Sequence, residues 1–78
     1  MTLEIISSHS ILFKGEVTSV TLPGELGSFT VLKDHAPIIS VLKEGNIVYK
    51  LDGGEERETP IKGGLVDVLN NTIAICIY

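Results

Sequence analysis

The sequence predicts an all-β fold, a small antiparallel β-sandwich or flattened barrel of about eight to ten short strands. Apolar and polar side chains alternate with a period of two in segment after segment. No stretch of about ten residues holds an amphipathic helical period without a Gly, Pro or β-branched interruption. Turn-forming clusters recur between the alternating segments. The 78 residues make one domain, because two cores would each be too small to bury the surface that stability requires.

Leu3-Glu4-Ile5-Ile6-Ser7 is the first expected strand, and Ile11-Leu12-Phe13 a short second one. Glu16 to Leu22 alternates as a third and stops at Pro23-Gly24. After a loop from Glu25 to Ser28, Phe29 to Leu32 resumes extended structure, and Lys33-Asp34-His35-Ala36-Pro37 turns the chain. Ile38 to Leu42 follows as a strand, and Glu44-Gly45-Asn46 punctuates it.

Ile47, Tyr49 and Leu51 share one face of the next strand, and Asp52-Gly53-Gly54 supplies the positive-φ positions of a tight turn. Glu55 to Ile61 is expected to pair back across that turn, with Glu56 and Glu58 on a solvated side. Pro60 has no N–H for a ladder, which puts this strand at an edge or at a bulge. Gly63-Gly64 bends the chain into Leu65–Leu69, Asn70-Asn71 turns it, and Thr72 to Tyr78 completes the sheet. Cys76 alternates with Ala74 there and is expected to be a small buried hydrophobe.

A net charge of −4 is the wrong sign for neutralising phosphates, and no aromatic pair stands ready to stack unpaired bases, which argues against nucleic acid. The longest apolar run, Ile73 to Tyr78, is far short of the roughly 20 residues of a spanning helix, so direct membrane insertion is not expected. Met1-Thr2-Leu3-Glu4 lacks the basic start of a signal peptide, and the single Cys76 fits a reducing compartment.

Candidate catalytic groups are Ser28, Asp34 and His35, with His9 apart from them. A Ser or Asp near one His is commonplace in loops, and no nucleophile elbow surrounds Ser28, so catalysis is not expected. His9, His35 and Cys76 lack the close spacing of metal ligands, and no metal or cofactor is expected. Gly24-Glu25-Leu26-Gly27 lacks the lysine and following helix of a phosphate loop, so its glycines read as turn residues.

The run from Val20 to Ile39, VTLPGELGSFTVLKDHAPII, closely resembles the VTLPGxxGxFGVLPGHAPLL signature of ATP synthase epsilon subunits. Phe13-Lys14-Gly15-Glu16-Val17 resembles the F-x-G-x-V step of that family, and Gly63 to Val68 its GGFVEV strand. The three segments span nearly the whole chain in the family's order. Thr30 stands in place of a usual Gly, Lys33-Asp34 in place of Pro-Gly, and Leu65 in place of an aromatic. Asp34 suits a turn by bonding its own backbone, while the lost Gly restricts positive φ ahead of His35.

The resemblance implies a rotor subunit at the foot of the central stalk of an F-type ATP synthase. Such a subunit is non-catalytic and couples the gamma shaft to the membrane c-ring during proton-driven ATP synthesis. It implies that Ser7, His35 and Ser40 face the gamma subunit, and that Glu25, Leu26, Gly27 and Ser28 reach the c-ring subunits. It places the chain peripherally on the cytoplasmic face of a bacterial inner membrane. Many relatives continue into a regulatory helical pair, so a chain ending at Tyr78 carries the expectation of coupling without tail-mediated inhibition and without a nucleotide site. The alternative is a biotinyl or lipoyl carrier domain with a modified lysine at a hairpin tip, for which Lys33 is the candidate.

Overall fold

Eight strands and no helix build the chain, which a computed structural model describes over residues 1–78. They are β1 (Thr2–Ile6), β2 (Ile11–Gly24), β3 (Gly27–Leu32), β4 (Ile38–Leu42), β5 (Gly45–Leu51), β6 (Glu56–Ile61), β7 (Gly64–Leu69) and β8 (Thr72–Ile77). One layer runs β1-β8-β7-β4 and the other β3-β2-β5-β6. The two layers share β2. Its first residues pair with β1, and its last, Gly24, pairs with Leu42 of β4, so one strand ties both edges of the first layer together.

A straight strand could not do this. In β2 the inward side chains are Val17, Val20 and Leu22, so the alternation slips by one residue at Thr18. The β2–β5 register shifts at the same place, with Val17 opposite Leu51 and Ser19 opposite Lys50. A second slip leaves Leu12 unpaired between Phe13, opposite Ile5, and Ile11, opposite Ile6. Each extra residue bends and twists the strand, and two of them curl β2 from one layer into the other. The expected separate segments at 11–13 and 16–22 are therefore one strand of 14 residues. The Phe13 ring lies over Gly15, 3.1 Å from where a β-carbon would sit, and the ladder runs straight through that glycine.

Every strand contributes to the core. Leu3 and Ile5 of β1, Ile73 and Ile75 of β8, Val66 and Val68 of β7, and Leu42 of β4 meet Val17, Val20, Leu22, Val31, Ile47, Tyr49 and Ile61 from the other layer. Each fully buried aliphatic chain contributes roughly 1.5–3 kcal/mol of transfer free energy. No polar or charged side chain is buried. Tyr49 is backed by Phe13, with ring centroids 4.6 Å apart and a tilt of 42°.

Three expectations need correction. All pairings are antiparallel except β1–β8, which is parallel, so the sheet is mixed. Cys76 is exposed, not buried. Strand β8 is apolar in both of its phases, and the core takes the larger set, Ile73 and Ile75, which turns Ala74 and Cys76 outward. The loop after Pro23-Gly24 shrinks to the two residues Glu25 and Leu26, because Gly27 and Ser28 already pair with Gly24 and Pro23. Pro60 does lie on an edge strand, since β6 ends its layer and pairs only with β5.

Candidate functional site

The surface residues singled out by the sequence fall on three loops and two strands, β3 and β4. Glu25 and Leu26 form the β2–β3 turn, where the Glu25 N–H donates to the Val41 carbonyl at 2.9 Å and locks the turn onto β4. Leu26 is fully exposed at its tip. Gly24 is obligatory below it, because a β-carbon would meet the Gly27 carbonyl at 2.6 Å and the Phe29 ring at 2.8 Å. Gly27 has φ +138°, which only glycine adopts freely.

Ser40 is placed differently from its expected partners. It sits half-buried in β4 opposite Val66, with its side chain on the inner side of the layer, and its hydroxyl has only a long 3.4 Å approach to the Val41 carbonyl. Glu25, Leu26, Ile39, Ser40 and Val41 line a single open hollow. Residues expected to face two different partners, Ser40 on one account and Glu25 and Leu26 on the other, therefore share one concavity. Ile38 packs against the core, while Ile39 is 76% exposed between that hollow and a second one walled by Pro37 and Asp67.

Ser7 follows β1, at the far edge of the same layer. Strands β8 and β7 lie between β1 and β4, which puts the strand that Ser7 follows and the strand that carries Ser40 about 14 Å apart at the usual interstrand spacing. Its hydroxyl accepts the N–H groups of His9 and Ser10 at 3.4 and 3.3 Å and donates to the Ser10 carbonyl. That set of bonds shapes the β1–β2 loop. Ser7 thus has a local task independent of any partner.

His35 is exposed on the β3–β4 loop. Its N–H donates to the Leu32 carbonyl at 3.1 Å, and its Nδ1 lies 2.7 Å from the Ala36 carbonyl. Asp34 does not bond its own backbone as expected. It takes φ 63°, and its side chain and N–H both engage Asn71, which lies in the β7–β8 turn. The Asp34 carboxylate and the His35 ring each have a partner other than one another. Ser28 sits on β3 at the opposite end from His35, so the three candidate catalytic groups do not converge. No three His, Cys, Asp or Glu side chains cluster as metal ligands. Lys33 opens the same loop, but β3 and β4 do not pair with each other, so it is not at a hairpin tip and lacks the presentation a carrier lysine requires.

The shifted ionisable groups lie elsewhere. Glu16 is held below the ordinary carboxylate value by the Thr2 hydroxyl, at 2.6 Å, and by the N-terminal amine, at 3.2 Å. Arg57 is raised by its bond to Glu55 at 2.8 Å.

Outward apolar side chains form a feature that alternation alone did not expose. Ile11, Ile6, Cys76, Leu65 and Val41 stand opposite one another in register across β2, β1, β8, β7 and β4. The signal was present as the second apolar phase of β8 and of β4, but pairing partners are needed to join such residues into a row. No helix is long and apolar enough to cross a membrane.

Comparison with known proteins agrees over the whole of this architecture. The family model described as ATP synthase, Delta/Epsilon chain, beta-sandwich domain matches residues 1–77. The ATP synthase epsilon chain of Nitratiruptor sp. is 42% identical over 71 residues, which cover 91% of this chain and 55% of that protein. The ATP synthase epsilon chain of Chlorobaculum tepidum is 40% identical over 70 residues, covering 90% of this chain and 80% of that protein. The chain thus spans between about half and four-fifths of these relatives. A chain from the Euglena gracilis mitochondrial ATP synthase, in a structure of its OSCP/F1/c-ring portion, superposes with a TM-score of 0.90 at 23% identity, over 96% of this chain and 48% of its own. One from the central stalk and c-ring of the Tetrahymena thermophila enzyme gives 0.80 at 14% identity, over 97% of this chain and 61% of its own. At those identities the two structures speak for the fold. With a family model matched from end to end of its eight strands, the chain belongs to the β-sandwich domain family of ATP synthase delta and epsilon chains.

Proposed function

We propose that this domain is a non-catalytic part of the central stalk of an F-type ATP synthase, where it couples the gamma shaft to the c-ring during proton-driven synthesis. The observation that carries the reading is the family match over residues 1–77 together with epsilon chains 40–42% identical. The geometry is compatible with such work. Each proton crossing the membrane delivers roughly 2.3 kcal/mol per 100 mV, and torque must pass between ring and shaft without slip. A close-packed core with no buried polar group, closed by one strand shared between layers, resists shear. Holding two partners at once raises the effective concentration of each interface for the other, so modest contacts suffice.

In this reading His35, Ser7 and Ser40 face the gamma subunit, and Glu25, Leu26, Gly27 and Ser28 face the c-ring. His35 is the most informative of these, because Ser7 already has a local structural task and Ser40 points inward. The domain works peripherally, on the cytoplasmic face of a bacterial inner membrane. The test is co-purification with the gamma subunit and c-ring of the same enzyme, comparing the wild type with His35→Glu. Retention by gamma that falls with His35→Glu supports the assignment. A folded domain that ignores both gamma and ring refutes it.

A further inference from the structure

We infer that Asn71 is a positioning residue for the proposed gamma-facing loop: its side-chain amide clasps Asp34 and sets the conformation in which His35 is presented. The inference rests on the function proposed above. The Asn71 Oδ1 accepts the Asp34 N–H at 2.7 Å, and its Nδ2 donates to the Asp34 Oδ1 at 3.1 Å. Both ends of one amide are thus used on one residue, 37 positions away in sequence.

The clasp meets a need created by the backbone. Asp34 has φ 63°, a left-handed conformation that carries a steric cost for any residue with a β-carbon. The resembling family sequences carry glycine there. The loop also joins strands of different layers, β3 and β4, which do not pair with each other, so no ladder holds it. The β7–β8 turn, in contrast, is tight: Asn70 and Asn71 have φ 52° and 60° and connect strands paired from Gly64–Ile77 to Leu69–Thr72. Asn71 therefore transfers the rigidity of that hairpin to the loop. His35 follows Asp34 directly, and its own N–H closes the turn on Leu32, so the backbone torsion at Asp34 fixes where the imidazole stands.

With Asp at position 34, an amide is needed at position 71, to accept from the Asp34 N–H and donate to its carboxylate. A carboxylate there keeps an acceptor for the Asp34 N–H but sets oxygen against oxygen at the second bond, with like charge. Exchanging the two side chains restores the arrangement: Asn at 34 tolerates positive φ and donates, and Asp at 71 accepts twice.

The experiment compares wild type, N71D, the exchanged pair D34N/N71D and H35E. Affinity for the purified gamma subunit of the same enzyme is read by biolayer interferometry, and amide exchange at residues 34–36 by mass spectrometry. N71D is expected to bind about fivefold more weakly and to exchange faster in the loop, and D34N/N71D to return to within about twofold of wild type on both counts. A loss unconnected with the pairing of residues 34 and 71 would not be rescued by the exchange. Wild-type affinity in N71D, or an exchanged pair as weak as N71D, overturns the inference while leaving the gamma assignment standing. If folded wild type fails to bind gamma, the functional reading falls instead, and the clasp is judged by amide exchange alone: unaltered protection in N71D refutes it.

Discussion

Gly64 lies against the main chain of Cys76 so closely that a β-carbon at position 64 would meet the Cys76 carbonyl oxygen at 2.4 Å. Neither Gly63 nor Gly64 has positive φ; Gly64 serves close approach between β7 and β8, and a β-carbon on Gly63 would meet the Tyr78 ring at 2.9 Å. The obstacle at Gly64 is backbone, which cannot swing aside as a side-chain end can.

Gly64→Ala is accordingly expected to destabilise the domain by about 1–3 kcal/mol, since the β7–β8 ladder must shift to admit the methyl group. Gly53→Ala is the control. Its position is open and its φ is not positive, so the change is expected to be neutral or stabilising by up to about 1 kcal/mol. Urea unfolding of the pair decides the matter, and equal midpoints would contradict the packing described.

Ile75→Ala removes a side chain with no exposed surface and is expected to cost about 2–5 kcal/mol. Against a total of about 4–12 kcal/mol for a domain of this length, that is a large fraction. Ile39→Ala, at a residue 76% exposed, is expected to stay within about 0.5 kcal/mol. Thermal unfolding of both variants would show the core elsewhere if the order were reversed.

Cys76 is expected to react with an aromatic disulfide reagent in the folded protein at a rate close to that in denaturant, because its strand phase faces out. A thiol that reacts only after unfolding would restore the buried assignment that strand alternation first favoured.

Glu16 contributes to acid stability in a defined direction. Its folded pKa lies below the ordinary value of 4.5, chiefly through the Thr2 hydroxyl and then the N-terminal amine. A depressed carboxylate adds stability above its unfolded pKa, and that stability is lost as pH falls through the folded value. Glu16→Gln is thus expected to lower the unfolding midpoint at neutral pH and to lose the difference from wild type below the ordinary carboxylate range. The group is exposed, so the effect is expected to be small and weakened by salt. A constant gap between the two proteins from neutral pH to well below that range would exclude the linkage.

Strand positions were legible where one phase is apolar and the other polar. Segment 38–42 emerged with the bounds it has in the fold, and the edge placement of Pro60 followed from its missing N–H. Reading was harder where both phases are apolar, as at Cys76, because alternation then ranks neither face. The two bulges of β2 were invisible for a related reason: a one-residue slip looks in sequence like the end of one strand and the start of another.

Among the surface residues, the sequence could nominate Glu25, Leu26, His35, Ser7 and Ser40 by resemblance, yet it could not say which are neighbours. That Ser40 shares a hollow with Glu25 and Leu26, and that two strands stand between it and Ser7, follows only from how the strands pair and pack. Asn71 read only as a turn residue, since nothing local marks a bond to a position 37 residues earlier.

By itself, then, the amino-acid order determined the all-β class, most turns and the family, because these depend on period, glycine and proline chemistry and motif, all of which are local. The tertiary structure decided how β2 curls between layers, that β1 meets β8 in parallel, which apolar phase is buried, and that Asn71 holds Asp34. Those outcomes depend on which distant segments pair, and pairing is selected by the burial of the whole core at once, not by any segment's own preference.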